Sequence, residues 1–425
     1  MQDTVSQFDR RRVVDGRTDR RAPGERNLVA GQRRFPQNRS KGGRQDILDG
    51  DHASEEHTIL ASMRPAQSRR AAAALGLALS CALYGGAPAA QTVEPPCDIR
   101  TSERVVAIGD VHGAYDQFVA ILRSAGLIDR RDRWIGGRAR LVQTGDVLDR
   151  GSDSRKVVDL LRRLERDAAN AGGRVHALLG NHEFMRLVGD WRYVSAGELK
   201  AFTNADSADL RERVHAALAA QQESRARAEK RPFNPAEYRA QFMKDIPLGY
   251  IEMKTAFDTG EYGRWAKSRV AAVKINDVLF LHGGISGKVA ELGCEGVNEA
   301  IQSDIAALPV PPEKIMSLLA STEDGPLWYR GMASEPEDAF TPALETILQR
   351  MGARAVVIGH TPVTRGRIQT RFGGRIVLID TGMLNGEFYP GGVPSALELR
   401  GDMFTGIYLD RREPIAAPAL EPASR

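Results

Sequence analysis

Asp110, His112, Asp146, Asn181, His182, His282 and His360 fall in five glycine-containing motifs that follow one another along the chain. These are GDVHG at 109–113, GDVLDRG at 145–151, GNHE at 180–183, HGG at 282–284 and GHTP at 359–362. Carboxylate, amide and imidazole donors without thiolate suit two divalent ions that share one carboxylate. Such a pair polarises phosphoryl oxygens and makes a nucleophile from water near neutral pH, which is the chemistry of phosphate-ester cleavage. A single Asp or His after a strand is ordinarily a cap or turn residue. Five motifs in series, holding four of the eight histidines, are not explained that way. Of the others, His176 sits inside a strand and reads as structural. His215, on a polar helical stretch, reads as solvated.

Each motif follows a short apolar run. Arg104–Gly109 delivers Asp110 and His112, and Arg140–Gly145 delivers Asp146. Arg174–Gly180 delivers Asn181 and His182. Val278–Leu281 delivers His282, and Arg354–Gly359 delivers His360. The runs read as buried strands, and the carboxyl ends of strands are where α/β folds place their sites. The glycines allow sharp turns and close approach without a Cβ clash. Helical periodicity marks 116–126 and 153–170, the second with apolar residues at 157, 158, 160, 161 and 164. Val270–Ile275 and Val278–Leu281 read as a hairpin turning at Asn276-Asp277. Residues 187–268 read as a helical cap inserted over the cleft. Its Tyr193, Phe202, Tyr238, Phe242, Tyr262 and Trp265 either pack the cap or line a substrate groove. RIVLIDTGM and ALELRGDMFTGIYLD supply further strands. The Pro/Ala-rich residues 412–425 read as a flexible tail after a domain spanning 98–411.

The five motifs resemble the metallophosphoesterase (calcineurin-like) signature. GDVLDRG with GNHE resembles its phosphoprotein phosphatase branch. GNHEFMRLVGDWRYV at 180–194 and GPLWYRG at 325–331 are similar to the bacterial Shewanella-like protein phosphatases. The resemblance spans roughly residues 100–410. It implies a four-layer αββα sandwich of two mixed sheets flanked by helices. It also implies roles. Asp110 and His112 hold one metal ion, Asp146 bridges both, and Asn181, His282 and His360 hold the second. His182 is the general acid, oriented by Asp149. Arg150 and Arg330 clamp phosphate oxygens, and Asn181 also faces the substrate. The implied reaction is direct attack of a metal-bridging hydroxide on a phosphomonoester, without a phosphoenzyme. The substrate is then a phosphorylated protein or a small phosphoester. The ions are two divalent cations, manganese first, with iron or zinc as alternatives. A rival of the same chemistry is a dinucleoside polyphosphate hydrolase, but that group typically lacks an Asp at the position of Asp149 and carries GNHD rather than GNHE. A binding protein without catalysis is opposed by the full ligand set and the acid.

Composition narrows the setting. The chain has 425 residues and a net charge of +4. Residues 1–90 hold 15 Lys+Arg against 10 Asp+Glu, so the excess belongs to the leader. The body is near neutral and offers no electrostatic case for nucleic acid. Residues 1–62 read as a disordered or mis-assigned extension. Residues 63–90 read as an export signal. Arg64, Arg69 and Arg70 precede an apolar run from Ala71 to Tyr84, and Ala87-Pro88-Ala89 offers a small-residue cleavage site. That run is short for a bilayer span of ~20 residues. A periplasmic or secreted protein without stable membrane association is therefore expected. Cys97 and Cys294 would remain after cleavage, and spacing alone leaves their pairing open.

Overall fold

A computed structural model describes residues 97–418, apart from Thr364 and Glu387. The extension 1–62, the export signal 63–90 and the end of the tail lie outside the described residues. Twelve strands form two mixed six-stranded sheets. In chain order they are β1 (Asp98–Ile99), β2 (Val105–Ile108), β3 (Arg140–Gln143), β4 (Arg174–Ala177), β5 (Ala272–Ile275), β6 (Val278–Leu281), β7 (Ala355–Ile358), β8 (Gln369–Arg371), β9 (Ile376–Leu378), β10 (Ala396–Arg400), β11 (Met403–Ile407) and β12 (Arg412–Ile415). One sheet runs β12-β11-β10-β2-β3-β4, the other β1-β5-β6-β7-β9-β8. Each contains three neighbouring parallel strands: β2, β3 and β4 in the first, and β6, β7 and β9 in the second.

Side-chain alternation along the strands generates the layers. Val105, Ala107 and Val142 of one sheet share a buried cluster with Val273, Phe280, Val357 and Val377 of the other. The intervening residues point the opposite way. Val106, Ile108 and Leu141 pack on the helices Tyr115–Ser124 and Ser154–Asn170. Leu279, Leu281, Val356 and Ile358 pack on the helices Gly293–Ala307 and Glu337–Met351. Three apolar interfaces separate four layers, helix-sheet-sheet-helix. The helix 154–170 buries Val157, Val158, Leu160, Leu161 and Leu164, the stripe its periodicity predicts. Each such leucine contributes roughly 1.5–3 kcal/mol.

The β5–β6 hairpin turns at Asn276 and Asp277, and both have positive φ, as a tight primed turn requires. Cys97 and Cys294 are disulfide-bonded, with Cα atoms 5.9 Å apart. The bridge ties the edge strand β1 to the helix 293–307. Residues 412–415, expected in a flexible tail, instead form β12 and pair antiparallel with β11. Pro414 lacks a backbone donor, which an edge strand tolerates. The insertion 187–268 is helical, with helices Ala196–Phe202, Ser207–Ala228, Pro235–Asp245, Tyr250–Asp258 and Glu261–Lys267.

Candidate metal centre

The parallel strands of both sheets end at one buried pocket. Asp110 and His112 follow β2, Asp146 follows β3, and Asn181 and His182 follow β4. His282 follows β6 and His360 follows β7. All seven are buried. Asp146 sits in the middle. Its Oδ2 lies 3.7 Å from His112 Nε2, 3.8 Å from His182 Nε2 and 3.3 Å from His282 Nε2. Asn181 Oδ1 is 2.8 Å from His282 Nε2. Asp110 Oδ2 is 3.8 Å from His112 Nε2, and its carboxylate accepts the His360 backbone N–H. Two clusters of donor atoms therefore share Asp146: His112, Asp146 and His182, and Asp146, His282 and His360. Every predicted metal-ligand residue reaches this pocket.

Local backbone geometry makes the convergence possible. His112, Asp146, Asp149, Arg150 and His360 all have positive φ, which is costly for residues with a Cβ and concentrates at functional sites. A Cβ on Gly359 would strike the Asp110 carboxylate, and one on Gly109 would strike the Ile379 carbonyl from the other sheet. These two glycines let the sheets meet.

The donor set fits a pair of metal ions. His112 Nδ1 lies 2.9 Å from the Leu148 carbonyl, and His282 Nδ1 lies 2.9 Å from the Thr144 carbonyl. A carbonyl only accepts, so each Nδ1 carries a proton; each Nε2 faces the pocket, and that of His282, set against the oxygens of Asn181 and Asp146, would offer its lone pair to an ion held among them. His360 Nε2 is buried without a partner. Burial, with the charge of Arg150, holds His112 well below the usual imidazole range, and burial with His282 and Arg330 does the same for His360. Neutral imidazole is the ligating form. Burial and the charges of Asp380 and Asp146 push Asp110 well above the usual carboxylate range. Burial alone would raise Asp146 too, but His282, His182 and His112 overcome it and hold it well below. Burial depresses His282, yet Asp146 and Glu183 raise it on balance. Crowded buried carboxylates of this kind call for cations.

Beside the donor clusters stands a histidine–aspartate pair. His182 Nδ1 is 2.7 Å from Asp149 Oδ2, which leaves Nε2 facing the pocket. The other Asp149 oxygen is ion-paired with Arg186, whose side chain is fully buried. Sequence reasoning missed Arg186. It lies in a seven-residue helix too short to show which face is covered, and its guanidinium stacks 4.4 Å from the Trp191 ring. Glu183 and Glu198 were also missed as supports. Glu183 accepts the N–H groups of Gly180, Asp146, Val147 and Leu148, pinning the second motif to the third. Glu198 accepts the Asp149 N–H while capping its own helix at Ser195.

The mouth holds both arginines. Arg150 lies between the rings of Tyr193 and Tyr389, 5.4 and 5.6 Å from their centroids, and donates to the Tyr389 hydroxyl and to His112 Nε2. Arg330 donates to the His360 carbonyl at 2.9 Å and to Thr361 Oγ1 at 3.0 Å. Trp328 stands edge-on to His360. Of the six aromatic residues proposed for a groove, Tyr193 reaches this mouth. Phe202, Tyr262 and Trp265 belong to the core, and Tyr238 and Phe242 cluster with His215. His215 was expected to be solvated but is half-buried by these rings. Tyr389 carried no motif and was not expected. Asp380, which follows β9, was also missed, although IVLID repeats the strand-then-aspartate pattern.

Comparison with known proteins agrees with this geometry. Residues 103–364 match the family model described as calcineurin-like phosphoesterase. Shewanella-like protein phosphatase 2 of Arabidopsis thaliana is 31% identical over 303 residues, covering 71% of this chain and 76% of its own. Shewanella-like protein phosphatase 1 of Plasmodium berghei is 28% identical over 67% of this chain and 68% of its own. The crystal structure of the cold-active protein-tyrosine phosphatase of a psychrophilic Shewanella species superposes with TM-score 0.56 at 28% identity. It covers 75% of this chain and 82% of that one. The chain belongs to the calcineurin-like phosphoesterase family and is a metal-dependent phosphatase related to the Shewanella-like protein phosphatases.

Proposed function

We propose that this phosphatase removes phosphate from phosphorylated protein side chains, with phosphotyrosine favoured, and that it works in the periplasm or outside the cell. The observation that carries the reading is the His182–Asp149 pair set against two donor clusters that share Asp146. Asp110, His112 and Asp146 would hold one divalent ion, and Asp146, Asn181, His282 and His360 the other. Such ions activate water for attack and neutralise phosphoryl oxygens, and oxygen and nitrogen donors without sulfur suit manganese. The chain's own groups do the rest. His182 gives its Nε2 proton to the leaving oxygen, with Asp149 holding the Nδ1 proton in place. Arg150, Arg330 and Asn181 bind the phosphate oxygens, the arginines through their planar forks.

Tyrosine is favoured because Tyr193 and Tyr389 wall the entrance, and aromatic rings pack an aryl leaving group better than a serine methylene. The solved relative named as a protein-tyrosine phosphatase supports the same choice. The Cys97–Cys294 disulfide supports an oxidising compartment. The test is a substrate panel with added manganese: phosphotyrosine, phosphoserine and phosphothreonine peptides beside a dinucleoside polyphosphate. Highest kcat/KM on phosphotyrosine peptide is expected. A preference for the dinucleotide would replace this reading with nucleotide hydrolysis.

A further inference from the structure

Six parallel strands end at the pocket, and five of them end in residues of the expected ligand set. The sixth, β9, runs into Ile379 and then Asp380. Asp380 is 1% exposed. Its Oδ1 accepts the Gly382 N–H at 3.0 Å, and its Oδ2 is buried without any partner. This strand end abuts the one that carries Asp110: a Cβ on Gly109 would strike the Ile379 carbonyl and lie 3.1 Å from the Asp380 nitrogen. Burial and the Asp380 charge push Asp110 up, and burial and the Asp146 charge push Asp380 up, so the three carboxylates lie close together. A buried carboxylate oxygen with no donor is costly unless a ligand completes it. Charge balance points the same way. Two dications facing only Asp110 and Asp146, with neutral imidazoles and an amide, leave more uncompensated positive charge than two dications facing three carboxylates.

We infer that Asp380 is a further carboxylate of the metal centre, serving the ion held by Asp110, His112 and Asp146 through its unpartnered Oδ2. The inference rests on the two-ion reading of the site. It gives each sheet three strand-end contributors, and it explains why an acid is tolerated in a buried position.

Metal binding, rather than turnover, tests it. Asp380→Asn keeps the acceptor for the Gly382 N–H and removes the charge. Wild-type and variant full-length protein are stripped with chelator and titrated with manganese, with bound metal counted and thermal melts recorded with and without the ion. Removal of a group that supports a metal ligand typically weakens metal binding ~10–100-fold. For D380N that loss is expected at one of two ions, with an ion-free melting temperature no lower than wild type and a smaller rise on adding manganese. Asp380→Ala, which removes both oxygens, should lose the same ion. If D380N binds both ions as tightly as wild type, or melts lower by an equal amount with and without metal, Asp380 is merely structural and the inference fails. If wild type itself does not bind two ions, the underlying reading of the site fails instead.

Discussion

The two sheets approach the pocket in the same way but bring different donors. The sheet built on β2, β3 and β4 supplies Asp110, His112, Asp146 and Asn181, mostly oxygen donors. The sheet built on β6, β7 and β9 supplies His282 and His360, nitrogen donors, with Asp380 as its only acid. Only the first sheet also carries proton-transfer machinery, because His182 and Asp149 follow β4 and β3. One half of the molecule thus holds both the carboxylate common to the two donor clusters and the His182–Asp149 pair, while the other mainly completes the second cluster. An architecture of two similar sheets yields two chemically unlike subsites, and the asymmetry lies in loop residues rather than in strands.

Substitutions can break or sharpen that contrast. The largest effect is expected from Asp146→Asn, which removes the carboxylate common to both donor clusters. Both ions should be lost and turnover should fall to background, as metal analysis and p-nitrophenyl phosphate hydrolysis would show. Retention of one tightly bound ion would mean the subsites are independent. His182→Ala should keep both ions and lose ~10² to 10⁴ in kcat. Full turnover by this variant would remove the acid from the first sheet's account. Comparing His112→Ala with His282→Ala sharpens the division further, since each should deplete a different one of the two ions. Equal depletion of both would merge the two subsites into one.

Smaller effects concern support. Arg186→Ala should destabilise the fold by ~3–5 kcal/mol, because buried Asp149 would keep its hydrogen bond with His182 but lose the permanent positive charge paired with its other oxygen. Urea unfolding measures this, and an unchanged midpoint would show that Asp149 is otherwise satisfied. His176, in mid-strand on β4, tests the opposite case of a histidine that does no chemistry. Burial, with Arg140 and Arg174 nearby, holds it at about 3, against a usual value of 6.5. It is neutral when folded but takes up a proton when unfolded. Its contribution to stability is therefore present above pH 6.5 and is lost as pH falls from there towards about 3, at up to ~1.4 kcal/mol per pH unit. His176→Gln should flatten that part of the stability profile while leaving neutral-pH turnover near wild type.

Much of this was legible along the chain. The strand, glycine and ligand pattern located Asp110, His112, Asp146, Asn181, His282 and His360, because close approach at a turn demands glycine and ligation demands particular side chains, both local requirements. The helix 154–170 was legible for the same reason: its apolar stripe repeats at the helical period. Asp380 has the local pattern, but its unpartnered oxygen exists only once β9 lies beside β7 and the two sheets meet. Arg186 carries no signal of its own along the chain; what sets it apart is its enclosure by Trp191, Phe257 and Met253. Strand β12 was hidden by Pro414, which argues against a strand until the neighbouring β11 shows that it lies at an edge.

The order of side chains along the chain determined which donors exist and that each would sit at the end of a buried strand. Tertiary structure decided which donors cluster around one carboxylate, which carboxylate pairs with His182 and which charges are buried. Those are distances between segments up to 250 positions apart, and no local rule of propensity or spacing contains them.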